Sequence, residues 1–231
     1  MLDQKFKPSQ PTGVFIAALN EEQGIGATIS DFTKNIHARI LVIDGHSNDR
    51  TVEVAKDHGA EIVFQNGKGK GDALNKAVKF MDEDIEIVVF TDADYTYPAE
   101  YVPEMIQILE QMPQVGMVCG NRFCSQPDKK AFRGRFTFGN KLLAFAHGFL
   151  NGVDLQDPLT GLRVIRADIL RNWTIKSRGF DIEVELNNQV IKQGFEILEI
   201  PIDYRERLGE KKLKMRHGAS ILKRLVLENW R

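Results

Sequence analysis

Four short β-branched apolar runs, each followed by a stretch with helical spacing, fill the first hundred residues, and this alternation limits the chain to few folds. Val14–Ala18, Arg39–Asp44, Glu61–Phe64 and Glu86–Thr91 read as strands. Helices are predicted from Glu22 to Asn35, from a cap at Asn48 or Asp49, over Asp72–Met81, and from Pro98 through Gln111. Strands separated by helices form a mostly parallel sheet. The continuous apolar run before Asp44 is the kind buried on both faces. The later sequence is less regular. Val115–Cys119, Leu162–Ile165 and Phe195–Ile202 fit strands, and Phe136–Leu150 and Ile182–Lys192 fit helices. No repeat, low-complexity tract or linker divides the 231 residues, so one α/β domain is expected.

Composition is that of a soluble globular protein, with 42% hydrophobic and 27% charged residues. The net charge of -1 hides an asymmetry. Residues 122–141 and 205–224 together carry 14 Lys/Arg against 3 Asp/Glu. Two basic patches on a neutral chain suggest a local anionic ligand rather than nucleic acid, with two solvated helical faces as the alternative. Cys119 and Cys124 have no partners at zinc spacing and read as reduced packing residues. No leader or apolar run of membrane-spanning length is evident, so a cytoplasmic protein is expected. At the C-terminus, Ile221, Leu222, Leu225, Val226 and Trp230 recur at helical spacing beside Lys223, Arg224 and Arg231. That pattern suits either a docking helix or one lying on an anionic membrane surface.

Parallel α/β sheets place ligands at the carboxyl ends of their strands. Four polar clusters fall there: Asn20-Glu21-Glu22, Asp44 with the turn to Asp49, Lys68-Gly69-Lys70, and Asp92-Ala93-Asp94. Two carboxylates one residue apart at the end of a buried strand need a neutralising cation. Mg²⁺ or Mn²⁺ would accept their oxygens and leave positions for phosphate. Gly67-Lys68-Gly69-Lys70-Gly71 precedes a helix, where glycines permit close approach and the helix start favours an anion. Asp72 and the glycine spacing exclude a Walker loop, and a mobile surface turn is the alternative.

Taken in order, Ala17–Glu22, Val42–Thr51, Gly67–Ala73 and Thr91–Asp94 resemble the motifs of family 2 glycosyltransferases. Gly120–Phe123, Asp157–Arg163, Gly179–Glu183 and Pro201–Arg207 resemble the branch that charges polyprenyl phosphate, notably the archaeal dolichyl-phosphate glucose or N-acetylglucosamine synthases and dolichyl-phosphate mannose synthase. The resemblance spans residues 13–217 and implies a single GT-A catalytic domain, a mostly parallel Rossmann-like sheet flanked by helices; beyond it, the helical spacing makes 218–231 an expected C-terminal amphipathic helix. It departs at two places. Leu19 stands where the family has an aromatic residue, and Asp44-Gly45-His46-Ser47 has one carboxylate fewer than usual. Both fall in the nucleotide pocket and leave the base open, with a UDP-sugar favoured over GDP-mannose.

The resemblance also implies roles. Ala18, Asn20, Glu22 and Asp44 would surround the nucleoside, and Lys70 and Asp72 would lie near the sugar diphosphate. Asp92 would help hold the sugar or ribose, Asp94 would be the principal ligand of Mg²⁺ or Mn²⁺, and the two form the catalytic centre. Arg122, Arg133 or Arg135, and Arg207 would bind the acceptor phosphate. The implied reaction is inverting transfer of a hexose to dolichyl or polyprenyl phosphate at the inner face of the cell membrane. Phe136–Leu150 and Ile221–Trp230 are candidate lipid-facing surfaces, with ordinary core as the alternative. Rival readings are a transferase acting on a sugar hydroxyl, which would need Asp157 or Asp181 as base, a nucleotidyltransferase, and a silent binding module.

Overall fold

A computed structural model describes residues 5–123, 154–171 and 173–210, with single positions at 148, 221, 223, 224 and 227. Cys124, Arg133, Arg135 and most of 136–150 and 218–231 lie outside the described residues. The strands are β1 (Thr12–Ala18), β2 (Arg39–Asp44), β3 (Glu61–Phe64), β4 (Ile87–Asp92), β5 (Val115–Asn121), β6 (Arg163–Arg166) and β7 (Glu196–Pro201). The α-helices are α1 (Ile25–Asn35), α2 (Thr51–Asp57), α3 (Lys70–Phe80), α4 (Val102–Gln111), α5 (Ala167–Arg171) and α6 (Ile182–Lys192). The sheet runs β3-β2-β1-β4-β6-β5-β7. Its pairings are parallel except where β6 runs against β4 and β5. The expected α/β GT-A architecture is present.

The two-residue period of the strands sorts the core into two layers. Val14, Ile16, Val42 and Val89 face α1, α2 and α4, meeting Ile29, Phe32, Met105 and Leu109. Phe15, Leu41, Ile43 and Val88 face α3, α5 and α6, meeting Ala73, Ala77, Ile169 and Leu186. Each fully buried Ile or Leu contributes roughly 1.5–3 kcal/mol, so the doubly covered central strands anchor the register. That register aligns the strand ends: Ala18 opposite Asp44, Asp44 opposite Phe64, and Ala17 opposite Asp92. Strand order reverses at β1/β4, the switch point where such sheets bind ligands, and Asp92 stands there.

Several boundaries differ from the periodic reading. Helix α1 begins at Ile25 rather than Glu22, because Glu21–Gly24 forms a turn in which the Gly24 amide donates to the Glu21 carbonyl at 3.0 Å. Gly24 is pressed on the Asp94 turn: an added Cβ would lie 2.7 Å from the Ala93 carbonyl oxygen. Helix α2 starts at Thr51, whose amide bonds the Asp49 carboxylate at 3.0 Å, so Asp49 serves the helix from two residues back. Helix α3 starts earlier than expected, at Lys70, and Pro98 precedes a 3₁₀ turn (Ala99–Tyr101) before α4. The short α5 has no counterpart in the sequence reading.

Candidate active site

Non-glycine residues adopt left-handed backbone at three strand-end turns: Asn20 after β1 (φ 50°), His46 after β2 (φ 62°) and Tyr95 after β4 (φ 67°). Such residues persist only where surrounding contacts overdetermine them, and they gather at functional sites. Asn20 and the β2 turn are cross-linked. The Asn20 backbone amide donates to the Ser47 hydroxyl oxygen at 2.8 Å, and the Asn20 side-chain oxygen accepts the Asn48 amide at 2.8 Å. Asp44, fully buried, accepts the Ser47 amide at 2.8 Å and the Ser47 hydroxyl at 2.6 Å. Asp44 therefore shapes the turn beneath the expected nucleoside. Glu22 is exposed and accepts the Arg50 amide at 3.0 Å, pinning α2. Ala18 ends β1 and is buried beside them.

The acidic pair is neutralised by this chain's own cations. Lys70 Nζ donates to Asp92 Oδ1 at 2.6 Å and reaches Glu183 Oε1 at 2.9 Å. Asp94 Oδ1 accepts the Thr96 hydroxyl at 2.6 Å, and its Oδ2 is paired with Arg207, which also forks to Glu21. Burial opposes the charge on Asp92, but Lys70, followed by Arg122 and Arg207, holds its carboxyl below the ordinary range. Burial, then the Asp92 charge, pushes Asp94 up. Burial alone would lower Lys70, yet Asp92 and Glu183 together drive it up, so it is a fixed cation.

The glycine loop is built for protein contact. A Cβ at Gly71 would sit 2.2 Å from the Ser177 carbonyl oxygen, and one at Gly69 (φ 90°) would sit 2.3 Å from that of Arg178. The Gly71 amide also donates to Arg178 at 3.1 Å. Asp72 accepts the Gly67 amide at 2.7 Å, closing the loop on itself. The glycines thus bring α3 against the segment before α6, which is how Lys70 reaches Glu183. Lys68 stays exposed. A cleft between α3, α6 and the sheet is lined mostly by apolar side chains, with Lys70, Glu183, Thr91 and Gly161 among its lining residues. Gly161 is small for a local reason: a Cβ there would meet Asp92 Oδ2 at 2.5 Å.

On the far side of Asp92, Arg122 and Asp157 form a buried fork, Nε to Oδ2 at 2.6 Å and Nη2 to Oδ1 at 2.7 Å. Glu199 orients the Asp157 backbone, accepting its amide at 2.7 Å. Arg122 also lies 5.4 Å over the Tyr204 ring, which meets Tyr97 edge-on at 5.3 Å. The Tyr97 hydroxyl accepts the Gly161 amide at 2.6 Å, linking this cluster to Asp92. Asp181 is likewise paired, with Arg224 at 3.2 Å.

Residues 13–174 match the pattern described as Glycosyl transferase family 2. The chain belongs to glycosyl transferase family 2. It is 35% identical over 218 residues to the dolichyl-phosphate hexose transferase of Haloferax volcanii, covering 92% of this chain and 91% of that protein. It is 26% identical to the undecaprenyl-phosphate mannosyltransferase of Micrococcus luteus, covering 86% of this chain and 85% of that protein. Among solved structures, glucosyl-3-phosphoglycerate synthase of Mycobacterium tuberculosis with Mn²⁺, UDP-glucose and glycerol 3-phosphate aligns with a TM-score of 0.74 at 20% identity, covering 96% of this chain and 81% of that one. That likeness supports the fold.

In this family 2 glycosyltransferase, Lys70, Asp92, Asp94, Arg122 and Arg207 converge around the β4 end, while Asp72, Glu22 and Asp44 support turns beside it. Glu21 and Glu183 join the centre, though the sequence reading assigned neither a role. Glu21 shared a cluster with Glu22, and only the distant Arg207 distinguishes the buried one. Glu183 had two signals in the sequence, its place at the end of the Gly179–Glu183 motif and a charge in the first turn of α6.

Proposed function

We propose that this glycosyltransferase moves a hexose from a nucleotide-diphosphate sugar to dolichyl or polyprenyl phosphate, with inversion at the anomeric carbon. The observation carrying this reading is that both carboxylates available as a general base are held by arginines: Asp157 by Arg122 and Asp181 by Arg224. A sugar hydroxyl needs such a base. A phosphate monoester has a second pKa of about 6 and arrives ionised, so its oxygen attacks unaided. The names of the Haloferax and Micrococcus relatives, both lipid-phosphate transferases, favour the same acceptor. In the proposed reaction the acceptor oxygen bonds to C1, and the C1–oxygen bond to the nucleoside diphosphate breaks with its electron pair.

The residues divide this work. Asn20 and Asp44 hold the turns around the nucleoside, with Ala18 beneath it, and Asp92, fixed by Lys70, orients the sugar or ribose. Arg122 and Arg207, with Arg133 or Arg135 from outside the described residues, present planar donors to the phosphate. Asp92 and Asp94 fit a hard divalent ion: they offer only carboxylate oxygen, and the positive charge that Asp94 now draws from Arg207 is one that such an ion could supply instead. Mg²⁺ or Mn²⁺ bound there would neutralise charge on the departing diphosphate. Among the described residues no group of three His, Cys, Asp or Glu gathers for a metal, so donor phosphates would complete the shell.

Membrane-surface placement follows from the acceptor. Among the described residues no helix is long and apolar enough to cross a bilayer. Ile221 packs beside Val184 and is buried, which favours docking for that residue, while Leu227 is exposed. The test is incubation of purified protein, Mg²⁺ and polyprenyl phosphate with UDP- and GDP-hexoses in turn. A glycolipid from one donor, identified by mass, is expected. Transfer to soluble sugars alone would overturn the reading.

A further inference from the structure

Arg207 sits on a strap, residues 202–210, laid across the Asp94 turn. The Arg205 amide donates to Thr96 at 2.9 Å, and the Leu208 amide donates to the Asp94 carbonyl at 3.1 Å. The Arg205 guanidinium is anchored on Asp31 at 2.7 Å and lies 4.4 Å over the Tyr95 ring. These contacts fix the backbone on both sides of Arg207 and leave its side chain to choose a partner. Its terminal nitrogens fork to Asp94 and Glu21, two separate carboxylates, while its buried Nε–H has no acceptor among the described residues. A buried donor left unbonded is costly, so this is not the best arrangement open to the guanidinium. A phosphate monoester would take Nε and a terminal nitrogen together in a bidentate fork. Arg207 also neutralises the carboxylate that a divalent cation would need.

We propose that Arg207 couples cation binding to acceptor binding, leaving Asp94 and Glu21 for a phosphate monoester when a divalent cation takes Asp94. The proposal rests on the phosphate-acceptor reading above. In the ligand-free chain the guanidinium competes with the cation for Asp94 Oδ2. A phosphate that draws Arg207 away frees that oxygen, and a cation that displaces Arg207 supplies the phosphate with its donor. Each ligand therefore tightens the other by the same factor. Couplings of this kind run from about fivefold to about 150-fold.

The test is a Mn²⁺ titration of the full chain without nucleotide sugar but with UDP in every arm to supply the diphosphate, followed by electron paramagnetic resonance of the free ion, with and without citronellyl phosphate. Protein-free titrations subtract Mn²⁺ bound by UDP and by the phosphate itself. For the wild type, the Mn²⁺ Kd should fall about fivefold or more when citronellyl phosphate is present. Arg207→Ala should bind Mn²⁺ more tightly than wild type without the phosphate, and the phosphate effect should disappear. Arg207→Gln, which keeps the stem but not the charge, should reproduce both shifts even if the alanine variant folds poorly. Variants that bind Mn²⁺ no better than wild type would overturn the proposal. So would coupling of undiminished size in both, since phosphate would then meet the cation directly. Because nothing turns over here, failed hexosyl transfer with coupling intact refutes only the function, and transfer without coupling refutes only this proposal.

Discussion

Replacing Asp157 by asparagine separates a positioning role from a base. Asp157 is fully buried and accepts three bonds from one residue: Arg122 Nε at 2.6 Å, Nη2 at 2.7 Å and the backbone amide at 3.1 Å. Asparagine keeps the volume but sets an NH₂ donor against a guanidinium N–H and leaves Arg122, with its side chain 14% exposed, without its counter-ion. One charge-assisted bond contributes about 1.5–3 kcal/mol, and breaking a buried pair from one side costs about 3–5 kcal/mol. The remaining amide bond and the Tyr204 ring favour the lower part of that range, about 3 kcal/mol. For a chain of this length that lowers Tm by roughly 6–12 °C, readable by calorimetry. Well below that Tm, kcat at saturating acceptor should stay within about tenfold while KM for the lipid phosphate rises, because removing a general base would cost about 10²–10⁴ in kcat. An unchanged Tm would refute the buried fork. A kcat loss beyond a hundredfold at unchanged KM would make Asp157 the base and the acceptor a hydroxyl.

Three further outcomes follow from the same contacts. Gly71→Ala should lower stability by about 2–4 kcal/mol, against the roughly 1 kcal/mol that helix propensity would add, because its Cβ meets the Ser177 carbonyl; Gly194→Ala, at φ 82° with nothing nearby, should cost only about 1 kcal/mol. Denaturant melts of the two variants compare close packing with backbone strain, and a neutral Gly71→Ala would contradict the packing of α3. Asp49 is opposed by burial but held below the usual carboxylate range by bonds from Thr51 and the Glu22 amide. Its folded pKa lies below its unfolded one, so its stabilisation is present above about pH 4 and is lost as pH falls through the lowered value. Asp49→Asn should therefore melt lower than wild type at pH 7, with the gap closing toward pH 2. Lys70→Met should cut turnover by at least tenfold, since Asp92 and Glu183 would then face each other without a cation, and steady-state kinetics at saturating donor would show it.

Much of the fold was legible because local pattern and tertiary demand agree in the first half. The limits of β2, β3 and α6 follow directly from continuous apolar runs and from helical spacing. The Asp-x-Asp pair stood out because β4 is apolar from Ile87 through Phe90 and ends on Asp92. The pairings were not legible. Arg122 and Asp157 are 35 positions apart, and Arg207 lies 113 from Asp94, so no local spacing encodes either contact. The glycine loop is the instructive case. Its composition suggests phosphate, but the carbonyls of Ser177 and Arg178 determine why Gly69 and Gly71 carry no side chain.

The central claim is that an already ionised lipid phosphate attacks the sugar while Asp92 and Asp94 hold a cation. A ³¹P NMR time course with purified protein, donor and Mg²⁺ tests it directly, with polyprenyl phosphate in one tube and the corresponding polyprenol in another. The account predicts a new phosphodiester resonance together with released nucleoside diphosphate when the phosphate is present, no release of nucleoside diphosphate above the acceptor-free rate when the alcohol is present, and loss of both signals in excess chelator or in Asp94→Ala. Transfer to the alcohol, or an undiminished phosphodiester signal in chelator, would contradict it.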